Sequence, residues 1–374
     1  MPLKVNISVG CLVIAFLSAC VEPISFELPN ASEQIVIEGI ITDQPGPYEV
    51  KISKGIDLNS DTLRVSPVTG ASVVLHNDQG ESEEFEETGP GIYQTSGIIQ
   101  GEVGHLYHIT LETTEGHQYQ SEPDILEPVG EILGIDIEFE SRTVLADFGE
   151  VQADVLKVFV DADGAGQSYT RWKFTGIFRI ETFPGEHVTD NPPYTPFKDP
   201  FPCSGYIVSE SDLWEGGKLV KVGDCECCEC WVYVYEQKPQ LSTSQLVKDG
   251  LYRHVKVGEI GITSQAFHDK YLIEIEQMSL SKTAYDFFNL IKAQKEGADN
   301  IFQPSFGEII GNVKASNPNN PVVGLFWATS ISTSHRFVSQ EDLPYPVPQF
   351  PYITLPSADV YPNSTYEQPE LWED

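Results

Sequence analysis

Apolar and polar positions alternate through the first third of the chain. Gln34-Ile35-Val36-Ile37-Glu38-Gly39-Ile40-Ile41 reads as a strand, and a Pro-Gly-Pro turn follows at 45–47. Tyr48-Glu49-Val50-Lys51-Ile52-Ser53 then alternates with the period of a half-buried strand. Ala71 to His76 is a further short strand closed by Asn77-Asp78-Gln79-Gly80, and Gly91-Ile92-Tyr93-Gln94 follows a Gly-Pro-Gly turn. Leu106 to Thr113 and Tyr119 complete the set. Short strands with a turn signal about every ten residues predict an immunoglobulin-like or transthyretin-like β-sandwich over 33–125.

Pro123-Asp124-Ile125-Leu126-Glu127-Pro128-Val129 carries two prolines and marks a boundary. The strand-like runs beyond it, Gly134 to Phe139, Leu156 to Val160, Tyr169 to Phe183, Trp231 to Tyr235, Tyr271 to Gln277 and Val322 to Ile331, predict a second β-rich domain over 129–342. One amphipathic helix stands out at about 281–296. Ser281 is its N-cap, Ala284, Phe287, Phe288 and Ile291 form an apolar stripe, Lys292 and Lys295 occupy the last turn, and Gly297 is its expected end. That stripe reads as core packing before a cofactor groove. From Leu343 to the end, seven prolines interleave with aromatics, which predicts an extended tail over 343–374, laid on the domain or left for a partner.

The first twenty residues bear on compartment. Lys4 gives a short positive region, Val5 to Phe16 is apolar apart from Asn6, Ser8 and Gly10, and Leu17-Ser18-Ala19-Cys20 ends in small residues before a cysteine. This is the build of a secretory signal over 1–19, with an apolar run shorter than the ~20 residues of a bilayer span. Leu-Ser-Ala-Cys matches the bacterial lipobox, so Cys20 is the expected lipidation site and 20–32 its tether; the bland alternative is a plain secretory signal with an incidental cysteine. Several acyl chains on one residue anchor a protein stably without a span. Val21-Glu22-Pro23 lacks the aspartate that retains lipoproteins in the inner membrane, which points to the outer membrane, facing either the periplasm or the cell surface.

Charge narrows the partners. The 374 residues hold 56 acidic and 22 basic side chains, a formal net charge of −34, and residues 21–140 alone hold 24 acids against 3 bases. Such a surface repels phosphate backbones and anionic headgroups, so nucleic acid is excluded as a partner.

Five cysteines lie beyond Cys20: Cys203, Cys225, Cys227, Cys228 and Cys230. In an exported protein, disulfides stapling the 203 loop to 225–230 are the first reading, with one thiol left over. If 225–230 is a strand, Cys225 and Cys227 share one face and Cys228 and Cys230 the other. Binding of zinc or copper(I) is the second reading, although zinc prefers a different spacing, and C-x-x-C redox chemistry the third. Asp161-Ala162-Asp163-Gly164-Ala165-Gly166 fails as an EF-hand, since Ala165 and Trp172 stand at liganding positions, and reads as a turn. The acidic run Glu81, Glu83, Glu84, Glu86 and Glu87 reads as a solvated strand face before a weak calcium site. His105, His108 and His117 do not have zinc-site spacing. The loop Pro192-Pro193-Tyr194-Thr195-Pro196-Phe197 reads as self-packed before it reads as a sugar-stacking platform. With neither a G-x-S-x-G elbow nor a Walker motif, no enzyme and no cofactor beyond the covalent lipid are expected.

The lipobox, Val36-Ile37-Glu38-Gly39-Ile40-Ile41-Thr42-Asp43-Gln44-Pro45-Gly46-Pro47-Tyr48-Glu49-Val50 and Pro67-Val68-Thr69-Gly70-Ala71-Ser72-Val73 resemble an uncharacterised family of Bacteroidetes outer-membrane lipoproteins, domain of unknown function 4249. Tyr169-Thr170-Arg171-Trp172, the segment ending Cys230-Trp231-Val232, Ala284-Tyr285-Asp286-Phe287, Ile310-Gly311-Asn312-Val313, Gly324-Leu325-Phe326 and the closing Pro369-Glu370-Leu371-Trp372 extend the resemblance over nearly the whole chain. Many members carry further cysteines before that closing motif; this chain has none after Cys230. The resemblance implies a lipid anchor and a TonB-dependent β-barrel transporter as partner, and no catalytic residue. The expected function is a non-catalytic accessory that helps capture the transporter's cargo, whether small molecule, peptide or glycan. A surface adhesin or glycan-binding lipoprotein is the alternative, and a cysteine-cluster metal protein the second alternative.

Overall fold

The segment 35–42 becomes a strand, Ile35–Thr42, because every second side chain, Ile35, Ile37 and Ile41 among them, has a core to enter. The computed structural model describes residues 34–55, 66–146, 149–166, 169–189, 197–209, 218–243, 247–298, 309 and 311–372. It is mainly β, built as two sandwiches. In the first, one sheet runs Val322–Thr329, Ile35–Thr42, Glu49–Lys54, Ile92–Gln94, Glu86–Gly89. The facing sheet runs Val313–Ala315, Gln118–Ser121, Leu106–Glu112, Ser72–Asn77, Ser82–Glu84. Ile37, Val50, Ile52, Val73, Leu75, Tyr93, Ile109 and Phe326 fill the space between them.

Two of these strands come from far along the chain. Val322–Thr329 lies parallel to Ile35–Thr42 over eight residues, from Ile35 opposite Val322 to Thr42 opposite Thr329. Val313–Ala315 pairs antiparallel with Gln118–Ser121. Residues 313–329, expected in the second domain, therefore complete the first sandwich, and the boundary at 126–128 is crossed by a returning segment. Pattern reading assigns a strand to the nearest domain in sequence, whereas a parallel partner needs a long crossover and carries no local signal.

Small residues make the parallel approach fit. A Cβ on Gly324 would lie 2.1 Å from the carbonyl oxygen of Ile37, and one on Gly311 would lie 1.6 Å from that of Gly324. Buried Asn312 then stands in for a neighbouring strand: its Nδ2 donates to the Phe326 carbonyl (2.7 Å) and its Oδ1 accepts the Phe326 N–H (2.9 Å). Asp124 accepts the Ala328 N–H at 3.0 Å. Burial raises the Asp124 carboxyl above its usual range, and the Ser281 hydroxyl and the Ala328 amide only partly oppose this.

The second sandwich sets Ile132–Ala146, Gly149–Asp163, Leu251–Gly261 and Val247–Lys248 against a larger sheet. That sheet runs Ile331–Val338, Tyr271–Ser279, Thr170–Glu181, Glu229–Tyr235, Ser364–Thr365, with Gln240–Leu241 beside Thr170–Glu181. Trp172, Phe174, Tyr252, Phe267, Tyr271 and Ile275 dominate its core. The Trp172 indole donates to Gln277 (2.8 Å), whose amide donates to the carbonyls of Gly130 (3.0 Å) and Asp163 (2.9 Å), so the buried polar groups are met.

The helix Lys282–Ala298 begins where Ser281 Oγ accepts the Ala284 N–H (3.1 Å) and continues through Gly297, one turn's edge past its expected end. Ala284 and Phe288, with Ile291 beside them, pack on Leu325 and Trp327. Phe288 meets Trp327 edge-on at 5.1 Å. Strand Val322–Thr329 thus sends Phe326 and Ala328 into the first core and Leu325 and Trp327 under the helix. The tail lies along the second sandwich: Phe350 is buried in its core, Leu343, Val347 and Ile353 pack against it, and Ser364–Thr365 pairs with Trp231 and Val232.

Replacing Asn312 by Ala leaves the Phe326 N–H and carbonyl buried without partners, each worth about 1–3 kcal/mol. Urea unfolding is expected to show a loss of about 2–4 kcal/mol in a single transition of the whole chain. A loss below about 0.5 kcal/mol would mean that this clasp is dispensable.

Candidate functional site

The cysteine cluster forms two bridges. Cys203 joins Cys227 and Cys225 joins Cys228, each with Cα atoms 5.7 Å apart, and Cys230 is a free, buried thiol. Cys225 to Cys228 are not in a strand. Ladder pairing with Thr170–Glu181 starts at Glu229, opposite Glu181, and the preceding residues turn away to close the short bridge. The expected alternation of cysteine faces therefore does not apply there. The turn is held on both sides: the Cys227 carbonyl accepts the Ser357 N–H (3.1 Å) and the Cys228 carbonyl accepts that of Thr182 (2.7 Å). Among the described residues no three His, Cys, Asp or Glu side chains converge as metal ligands would.

The remaining sequence candidates separate. His105 pairs with Asp78 (2.9 Å), His108 stacks on His76 (4.8 Å between ring centroids) and His117 lies by Glu115 (3.6 Å). Asp161 binds Arg253 and the His254 N–H (both 2.7 Å). Asp163 accepts the N–H of Ala165 (2.9 Å), closing a tight turn. Glu83 departs from the solvated reading: it is buried and accepts from the Ser96 hydroxyl (2.8 Å) and from the N–H groups of Ile98 (3.1 Å) and Ile99 (2.7 Å). Burial works to raise its carboxyl, but these donors outweigh burial and hold it below the usual range. Residues 192–196 of the Pro/Tyr loop, and Cys20 with its tether, lie outside the described residues.

One recess lies on the outer face of the larger sheet, where Ile177, Arg179, Trp231 and Leu272 point away from the core and the C-terminal turn folds over them. Trp372 is buried there, edge-on to Trp231 (6.4 Å) and Phe337 (5.8 Å). The Lys270 ammonium sits 4.7 Å from the Phe337 ring centre and 5.3 Å from that of Trp372. Arg179 bonds Asp269 (2.9 Å) and approaches Glu229 (4.0 Å). Trp231, Trp372, Lys270, Arg179, Asp269 and Glu229 line, with Gln368, a cleft of about 430 Å³. The buried indole N–H groups of Trp231 and Trp372 find no hydrogen-bond partner among the described residues. A neighbouring recess, also about 430 Å³, is lined by Glu181, Phe183, His268, Phe350 and Tyr352.

A third cleft, about 470 Å³, opens at the side of the second sandwich around Glu236, Lys256 and Glu259. Burial raises the Glu236 carboxyl, against the pull of the adjacent Arg171. Sequence reasoning missed all three recesses, because each draws its lining from separate segments. The one local signal was Trp231, an aromatic on the polar side of its strand's alternation.

A family model described as a domain of unknown function, DUF4249, matches residues 21–335. No curated protein matches. Among solved structures, trypsin-activated alpha-2-macroglobulin from Escherichia coli aligns at 13% identity over 69% of this chain and 15% of that one, with a TM-score of 0.19, too slight a likeness to assign a fold. The chain thus spans under a sixth of that protein's length. Among the described residues no helix is long and apolar enough to cross a membrane.

Stepwise partial reduction, with a different alkylating tag at each step and the tags located by tandem mass spectrometry, is expected to pair Cys203 with Cys227 and Cys225 with Cys228, with Cys230 labelled only after denaturation. Recovery of Cys230 in a bridge would contradict this pairing. Opening the 24-residue loop closed by Cys203 and Cys227 should cost about 3.5 kcal/mol of stability.

Proposed function

Since the chain belongs to the family described as a domain of unknown function, DUF4249, with residues 21–335 matched, we propose that it is an outer-membrane-anchored lipoprotein that serves a TonB-dependent transporter as a non-catalytic, ligand-capturing accessory. The observation that carries this reading is the lipobox Leu17-Ser18-Ala19-Cys20 placed a short way before the first strand. Residues 21–34 reach at most about 50 Å when fully extended, so the acyl anchor holds the folded body within one protein diameter of the bilayer. Acyl chains on one cysteine supply binding that a single chain would not. The acidic first sandwich keeps the body off anionic headgroups and favours a basic partner surface. Open recesses that mix charged and aromatic side chains suit capture of a ligand better than its transformation. The resemblance to envelope lipoproteins, together with the anchor, favours a β-barrel transporter as that partner.

Affinity purification of the tagged, lipidated protein from detergent-solubilised outer membrane, with and without crosslinking, tests the reading. A stoichiometric β-barrel transporter in the eluate is expected, and a Cys20→Ser variant should lose both the incorporated fatty acid and the copurifying barrel. An eluate with no barrel after crosslinking would overturn it.

A further inference from the structure

The lining of the cleft at Trp231 and Trp372 is chemically specific. Its cations are Arg179 and Lys270 and its anions Glu229 and Asp269, so a protein of net charge −34 keeps here a pocket whose formal charges cancel. Arg179 is spent on the two carboxylates and Lys270 rests on two rings. A monovalent ion of either sign meets an equal and opposite charge at the same rim, which gives it little selective attraction. The lining offers interleaved donors and acceptors instead: guanidinium, ammonium and amide beside carboxylates that have lone pairs to spare after one ion pair.

We propose that this cleft binds an uncharged, polyhydroxylated ligand, a sugar unit of an oligosaccharide. A hydroxyl both donates and accepts, so successive sugar hydroxyls satisfy a lining of alternating character that neither an amine nor a carboxylate would match. The indole N–H groups of Trp231 and Trp372 supply the second, independent observation. Both are buried and unpaired among the described residues, a state that costs about 1–3 kcal/mol per group. The turn that covers them, Pro369 to Trp372, is closed on itself by the Trp372 N–H to the Pro369 carbonyl (2.9 Å) and by Gln368 Nε2 to the Trp372 carbonyl (3.1 Å). Ring contacts and the Lys270 ammonium lay it on the sheet. A sugar oxygen that reaches either indole N–H provides the acceptor it lacks.

The neighbouring recess extends the site. Glu181 stands opposite Glu229 in the strand register, and His268 precedes Asp269, so the two recesses adjoin along one rim. There Phe183 and Tyr352 stack at 4.6 Å, and Tyr352, 60% exposed, presents a free aromatic face of the kind on which the apolar side of a sugar ring packs. A chain of several units then spans both recesses, which separates an oligosaccharide from a monosaccharide ligand.

The inference rests on the ligand-capture reading only for its physiological sense, and it is tested without a transporter. The full mature lipoprotein, held in a detergent that contains no sugar, is titrated with neutral hexasaccharides of glucose, mannose and xylose and with a sulfated hexasaccharide. Binding is read by calorimetry and by tryptophan fluorescence. At least one neutral hexasaccharide should bind, more tightly than its disaccharide. Trp372→Phe, which keeps an aromatic ring and removes the N–H, should weaken binding about tenfold, as should Asp269→Asn. Gln368→Ala, which removes a lining amide and its bond to the Trp372 carbonyl, should weaken binding as well. Tyr352→Ala should erase the advantage of the hexasaccharide over the disaccharide. Silence towards every neutral sugar at about millimolar concentration, preference for the sulfated one, or binding untouched by all four variants would overturn the proposal. Loss of the barrel from the pull-down with sugar binding intact would remove the transporter and leave the cleft standing.

Discussion

One pairing organises the chain: strand Val322–Thr329 laid parallel to Ile35–Thr42. Its even positions Phe326 and Ala328 belong to the first core, and its odd positions Leu325 and Trp327 to the packing under the helix. A strand whose two faces serve two different layers couples them, because neither can slip by one residue without reversing both. Asn312 and Asp124 clasp the same strand through Phe326 and Ala328. The Thr329 hydroxyl donates to the Ser279 carbonyl (2.8 Å), and Ser279 Oγ, donating to the Glu127 carbonyl (2.6 Å), accepts the Ser330 N–H (2.9 Å), which carries the join into the second sandwich. The two sandwiches are interlocked units, despite the proline-rich connection between them.

The recess on the second sandwich inherits its shape from that arrangement and from the tail. Ordering residues 366–372 costs about 1–2 kcal/mol each in backbone entropy. Burial of Trp372 returns roughly 4–6 kcal/mol, taking about 150–250 Å² at ~25 cal/mol/Å². One tryptophan alone does not hold seven residues down, so the contacts of Leu371, Phe337 and Lys270 and the strand pairing at Ser364–Thr365 are needed with it. The two disulfides brace the Glu229 end of strand Glu229–Tyr235, so Glu229 and Trp231 are presented from a fixed base.

Much of the β architecture was legible in the sequence. Patterning placed strands at 34–41, 48–53 and 106–113, each within a residue of Ile35–Thr42, Glu49–Lys54 and Leu106–Glu112, and Ser281 with its stripe placed the helix. The membership of Val322–Thr329 was not legible, because a parallel crossover leaves no turn signature and the strand is apolar on both faces. Glu83 was misread for a related reason. Its neighbours in the run are exposed, and only the return of the 96–99 loop, far outside any local window, supplies the donors that bury it. The recesses share this character: Arg179, Glu229, Asp269 and Trp372 meet only after four segments are stacked.

The architecture depends on residues 313–329 being part of the first sandwich's fold. The direct measurement is to express residues 33–128 alone and again joined by a flexible linker to residues 309–331, and to follow thermal unfolding and amide exchange of each. The isolated 33–128 is expected to lack a cooperative transition and slowly exchanging amides in strand Ile35–Thr42, and the joined segment to restore both. A cooperative, protected 33–128 that gains nothing from the added strand would contradict the interlocked architecture.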